Sequence, residues 1–83
     1  MNYSHAMETI LREWRKGEGM TIKEVADLVK CDPAIISKVE RHVMLPARGL
    51  AWELAELTGI HVLHLIYPER YDSRGVRIGK DQT

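Results

Sequence analysis

Apolar residues recur along this chain at the three-to-four-residue spacing of helices, and alternation of the kind that builds strands is hard to find. Met7, Ile10, Leu11 and Trp14 make a first stripe, with Trp14 expected in the core, and Gly17 and Gly19 should end the helix that carries it. Val25, Ala26 and Val29 make a second stripe, with Lys23, Glu24 and Asp27 facing water on the other side. Ile36 and Val39 are a third inward pair. After Pro46 breaks the chain, Leu50, Leu54 and Leu57 line a fourth helix that Gly59 stops. Val62, Leu65 and Ile66 form the inward side of a short fifth one, which Pro68 ends. The pattern predicts an all-α fold.

The boundaries within residues 21–40 are marked by side chains suited to helix ends. Thr21 and Glu24 stand three apart, so the hydroxyl and the carboxylate can each satisfy the other's end of a first turn as a capping box. Asp32 then supplies an acceptor, and Pro33 presets the backbone at a first helical position that needs no N–H partner. Two short helices therefore meet at a turn, and Ala26 is small enough to let their axes approach closely where they cross. With Ile36 and Val39 inward, the outward face of the second helix carries Ala34, Ser37, Lys38 and Arg41, at i, i+3, i+4 and i+7. That face holds a methyl that fits a thymine methyl, a hydroxyl for a base or phosphate, and a cation able to donate to guanine O6 and N7. A plain solvated helix face is the alternative.

These residues resemble a known family. From Leu11 to Ile66 the chain looks like the DNA-binding domain of lambdoid phage repressors and Cro, the XRE or Cro/C1-type family. The likeness rests on LREWRKGEGMT, the two-helix motif, ERHVMLP, and LAWELAELTGIHVLHLIYPE in that order. It implies a compact five-helix lambda-repressor-like unit whose second and third helices form the helix-turn-helix, with the third lying in the major groove. It also implies a structural ion pair between Arg15, near the end of the first helix, and Glu40, which ends the recognition helix. The implied DNA contacts begin with Thr21 and Lys23 and continue at Asp32 and Ala34, then Ser37, Lys38 and Arg41, and finally Arg48. Two departures stand out. Lys30 occupies the turn position where the family usually has glycine, and a left-handed conformation costs a non-glycine residue roughly 1 kcal/mol, so a differently shaped turn is expected. Pro33 and Ala34 replace the long polar residue that often starts the recognition helix, which shifts direct base readout to Ser37, Lys38 and Arg41.

Composition narrows the picture further. At 83 residues and 45% hydrophobic content the chain has material for one modest core. The expected organisation is an N-terminal extension over 1–6, a helix-turn-helix domain over 7–69, and a flexible polar tail over 70–83. That tail has a second reading, as a basic arm reaching phosphates through Arg74, Arg77 and Lys80. No apolar stretch approaches the roughly 20 residues that span a bilayer, and MNYSHAMET lacks the basic-then-apolar order of a signal peptide, so a cytoplasmic location is expected. The single cysteine, Cys31, has no activating pattern around it and reads as a small plug under the motif. His61 and His64 have a metal-chelating i, i+3 spacing, but two ligands are too few and no further cluster accompanies them. No convergent acid, base or nucleophile emerges, so neither an enzyme nor a cofactor is expected.

Net charge is zero, which weighs against nucleic acid, because duplex affinity comes largely from cations that displace counterions at phosphates. Distribution tempers this. Lys30, Lys38, Arg41 and Arg48 face only Asp32 and Glu40 over that span, and pairing of Glu40 with Arg15 leaves the outward side positive. Modest monomer affinity then calls for a homodimer, which sets two recognition helices about one helical turn apart. Trp52, Leu63 and Tyr67 lie off the inward stripes and form a candidate dimer patch, although the tail folding over Trp52 is an alternative. The expected function is a sequence-specific repressor binding a two-fold operator. The competing reading keeps the fold but binds a protein partner, as an antitoxin or antirepressor does, and the zero charge and the Pro33–Ala34 start favour it.

Overall fold

Thr9, extended in backbone, accepts a hydrogen bond from the Arg12 N–H at 3.0 Å through its hydroxyl and so starts the first described helix. The computed structural model describes residues 9–79, so Met7 and the extension over 1–6 lie outside the described residues. Among the described residues five helices follow in order: α1 (Ile10–Gly17), α2 (Ile22–Val29), α3 (Pro33–Glu40), α4 (Arg48–Thr58) and α5 (Val62–Ile66). The fold is all-α. Among the described residues the β pairing is an isolated antiparallel bridge between Tyr71 and Arg77.

The chain divides at Leu45 and Pro46 into two packed units. In the first unit Leu11, Val25, Ala26, Val29, Ile36 and Val39 are buried, while Ile10 and Trp14 are only half-buried. Trp14 is thus not the core residue its place in the stripe suggested. Burying such side chains contributes about 1.5–3 kcal/mol for each large one, which holds three eight-residue helices that would be marginal alone. The capping box of α2 is present in both directions, with Glu24 N–H donating to Thr21 Oγ1 at 3.1 Å and Thr21 N–H donating to Glu24 Oε1 at 2.8 Å.

The turn between α2 and α3 differs from expectation. Lys30 adopts the left-handed conformation itself, at φ 55 and ψ 51. Its N–H donates to Asp27 O at 3.3 Å and the Cys31 N–H to Ala26 O at 3.0 Å, the two bonds of a Schellman motif. Satisfying those carbonyls outweighs the steric cost of a side chain at that position, so the turn keeps the shape glycine would give it. Lys30→Gly should therefore raise stability by about 0.5–1 kcal/mol in urea melts; an unchanged or lower midpoint shows that Lys30 carries no strain.

In the second unit Ala51, Leu54, Ile60 and Leu65 are buried, whereas Leu50, Leu57, Val62 and Ile66 are half-buried. Gly59 ends α4 in the left-handed conformation at φ 82, donating to Ala55 O at 2.9 Å. Residues 70–79, expected as part of a flexible tail, instead form a hydrogen-bonded turn. Asp72 Oδ1 accepts from the N–H groups of Arg74 and Val76, both at 2.9 Å. The Val76 N–H, aided by the Arg74 N–H and guanidinium, holds the Asp72 carboxyl below the usual carboxylate range. The turn is tied to α5 at three points. The His61 N–H donates to Ser73 O at 3.0 Å, His64 Nδ1 lies 2.8 Å from Tyr71 O, and Gly75 leaves room for the His61 ring, 2.5 Å from where a Cβ would stand. Both histidines are thus structural, since His61 Nδ1 also accepts from the Leu63 N–H at 3.1 Å as the cap of α5. Lys80 and the rest of the tail to Thr83 lie outside the described residues.

Candidate nucleic-acid interface

The outward face of α3 is built by what lies beneath it. Ile36 and Val39 are buried, so the helix is anchored on one side, and Ala34, Lys38 and Arg41 are exposed on the other. Its start is fixed by Asp32, whose Oδ1 accepts from the Ala34 N–H at 2.8 Å, and by Pro33 at the first position. Its end is fixed by Glu40. This carboxylate is only 3% exposed, and its two oxygens accept from Arg15 Nε at 2.6 Å and Arg15 Nη2 at 3.1 Å. The Arg15 guanidinium, 13% exposed, also donates through Nη1 to Met20 O at 2.9 Å, so it joins α1, the following loop and α3.

This pairing settles the local charge. A carboxylate at the last residue of a helix opposes the helix dipole, and here it is neutralised by a two-point guanidinium contact. What remains outward on the unit near α3 is Lys30, Lys38 and Arg41, against Asp32. Lys38 is exposed and has no hydrogen-bond or ion-pair partner among the described residues. Its backbone is nonetheless held, because Lys38 O accepts from the Val43 N–H at 2.9 Å. Ser37 is half-buried. Its hydroxyl accepts from Arg41 Nε at 3.3 Å, so it is already engaged by a neighbour on the same face.

The other expected contacts are placed less evenly. Thr21 is exposed at the head of α2 with its hydroxyl committed to the capping box. Lys23 is exposed and paired with Asp27, Nζ to Oδ2 at 3.2 Å, an ion pair worth little in water. Asp32 acts as a cap. Arg48 belongs to the second unit, where it is the exposed first residue of α4. In that unit Trp52 is 56% exposed and Tyr67 50%, so the described part of the tail does not cover Trp52. Leu63, expected in the same exposed patch, is half-buried.

Alternative chemistry is poorly served. Burial pushes the Cys31 thiol up from its ordinary value, and the neighbouring Asp32 carboxylate adds to this, which disfavours the nucleophilic thiolate. Among the described residues no group of three His, Cys, Asp or Glu side chains is placed to hold a metal. A shallow groove of about 530 Å³ lies along Glu18, Gly19, Met20, Glu24, Asp27 and Leu28. Its three carboxylates make it unsuited to phosphate. No described helix is long and apolar enough to cross a membrane.

Sequence reasoning missed the Ser37–Arg41 contact, although the i, i+4 spacing of an acceptor and a guanidinium was its signal. A family model described as helix-turn-helix matches residues 11–65 of the chain. No curated protein and no solved structure matches it.

Proposed function

Because the chain belongs to the Cro/C1-type helix-turn-helix family, a family of DNA-binding domains, we propose that it is a sequence-specific transcriptional regulator that binds duplex DNA through the outward face of α3. The observation that carries this reading is that Ala34, Lys38 and Arg41 stand exposed on a helix whose other side is buried and whose final carboxylate is consumed by Arg15. In this reading α3 enters the major groove. Lys38, in the middle of the face, donates to a base edge, and Arg41, at its end, meets a phosphate. Thr21, Lys23 and Arg48 add backbone contacts. The protein acts in the cytoplasm as a homodimer through Trp52, Leu63 and Tyr67, and represses by occupying a two-fold symmetric operator that polymerase would otherwise use.

Selection of bound duplexes from a random pool tests this directly. The expected result is enrichment of symmetric sites whose half-sites lie about one helical turn apart; a pool that stays random overturns the reading. Arg41→Ala should weaken binding to every sequence and lower the slope of log affinity against log salt by about one. An unchanged slope removes Arg41 from the phosphate contacts.

A second reading, a protein-interaction module, draws on Val43 and Leu45, which follow α3 and are 60% and 54% exposed. Such apolar side chains suit a protein partner better than a phosphate backbone. Salt separates the two, because an apolar contact hardly responds to ionic strength while a phosphate contact weakens steeply.

A further inference from the structure

Arg41 follows the last residue of α3, and its backbone N–H donates to Ser37 O at 3.1 Å. Its side chain folds back over the same turn. Arg41 Nε is 3.2 Å from Ser37 O and 3.3 Å from Ser37 Oγ, so one guanidinium N–H is shared between a carbonyl and a hydroxyl on one residue. A guanidinium has five N–H donors in a rigid plane. With the Nε–H held against the helix, the Nη1 and Nη2 donors are left as a fixed fork.

We infer that Ser37 is a positioning residue: its hydroxyl sets the Arg41 side chain so that the Nη fork is presented to a DNA phosphate, and Ser37 itself reads no base. This rests on the DNA-binding reading given above. Three observations favour it. Ser37 is half-buried while Arg41 is exposed, so Ser37 is the less accessible of the two residues. The hydroxyl already accepts a charge-assisted bond, which reduces what it offers to a base. Arg41 stands at the C-terminal end of the helix, whereas base edges are met mainly by residues nearer its start. A fork at that end matches the paired oxygens of a phosphate.

A free arginine loses rotamer freedom when it binds, and a side chain already held loses less. The expected gain is about two- to tenfold in affinity. The same bonds also satisfy a carbonyl at the end of α3, a structural role that would operate without DNA. The two roles separate in a double-mutant cycle.

The test measures binding to a mixed-sequence duplex of about 30 base pairs, long enough for two half-sites, with the parent chain, Ser37→Ala, Arg41→Ala, the double variant and Ser37→Thr. Exchange of the Arg41 Nε–H is followed by NMR in the free proteins. Ser37→Ala should weaken binding about two- to tenfold when Arg41 is present and not at all when it is alanine. Ser37→Thr should restore affinity, and Nε–H exchange should be slow in the parent and in Ser37→Thr but faster in Ser37→Ala, where only the Ser37 carbonyl still accepts from Nε. An equal loss with and without Arg41 means that Ser37 touches DNA itself and overturns the inference alone, as does no loss at all. A parent chain that fails to bind the duplex overturns the DNA reading, and the positioning role falls with it.

Discussion

Replacing Glu40 by alanine should destabilise the protein by about 3 to 5 kcal/mol, because it removes the carboxylate that meets a largely buried guanidinium at two points. Arg15 is 13% exposed and Glu40 3%, and the pair is joined by two hydrogen bonds of 2.6 and 3.1 Å. After the substitution Arg15 keeps its bond to Met20 O, but the two-point contact with the Glu40 carboxylate is gone. A loss of that size is a large fraction of the 5–15 kcal/mol that stabilises an ordinary domain, and it corresponds to a fall in Tm of roughly 15 to 30 °C for a chain of this length. Urea melts supply the check, with the midpoint compared at constant slope. A midpoint equal to the parent's would mean that the pair contributes nothing to folding.

The same substitution separates the worth of the pair from the cost of breaking it. Exchanging both members for apolar residues of similar volume, as in Arg15→Met with Glu40→Leu, should recover most of the loss, since two charges no longer need desolvation. The double variant would keep the fold and, with one charge of each sign removed, leave the net charge at the end of α3 unchanged. Its usefulness lies there: Glu40 sits one residue before Arg41, and the Arg15 contact is what prevents that carboxylate from offsetting the cations on the outward face.

How much of this was legible in the sequence depends on how local each signal is. Thr21 with Glu24, Asp32 with Pro33, and Gly59 announced helix ends because a cap is decided within four residues, and all appear at those places. The face carrying Ala34, Ser37, Lys38 and Arg41 followed from the burial of Ile36 and Val39, which periodicity alone predicts. The Arg15–Glu40 pair joins residues 25 positions apart, and only the family resemblance suggested it. Lys30 was misjudged because its steric cost was weighed without the two hydrogen bonds that the left-handed turn completes. The turn over 70–79 was hidden by its polar composition, yet Asp72 and Gly75 occupy the first and fourth places that a tight turn favours. What holds that turn to α5 is non-local. The placement of Ser73 near His61 and of Tyr71 near His64 depends on packing that no short window encodes. Trp14 and Leu63 show the same limit, since a stripe gives direction around a helix and leaves open how completely a neighbour covers it.

Lys38→Ala should cost about 1 to 3 kcal/mol of discrimination at one base position, which is roughly five- to 150-fold in relative affinity for the preferred base. Lys38 is the cation closest to the middle of the outward face, one turn beyond Ala34 and three residues before Arg41. Its ammonium has no partner to give up among the described residues, and its backbone is fixed both by the helix and by the Val43 N–H. A side chain on so rigid a base can commit its donors to guanine O6 and N7, a pattern no other base pair presents in the major groove. The loss should therefore be confined to one position in each half-site, and the salt slope should stay near the parent's. Arg41→Ala is the internal contrast, with a loss spread over all sequences and a shallower slope. Binding of each variant to a panel of every single-base change in the selected site, at one salt concentration, reads both effects together. A Lys38→Ala protein that weakens equally on every member of the panel would place Lys38 on a phosphate and move base readout elsewhere on the helix.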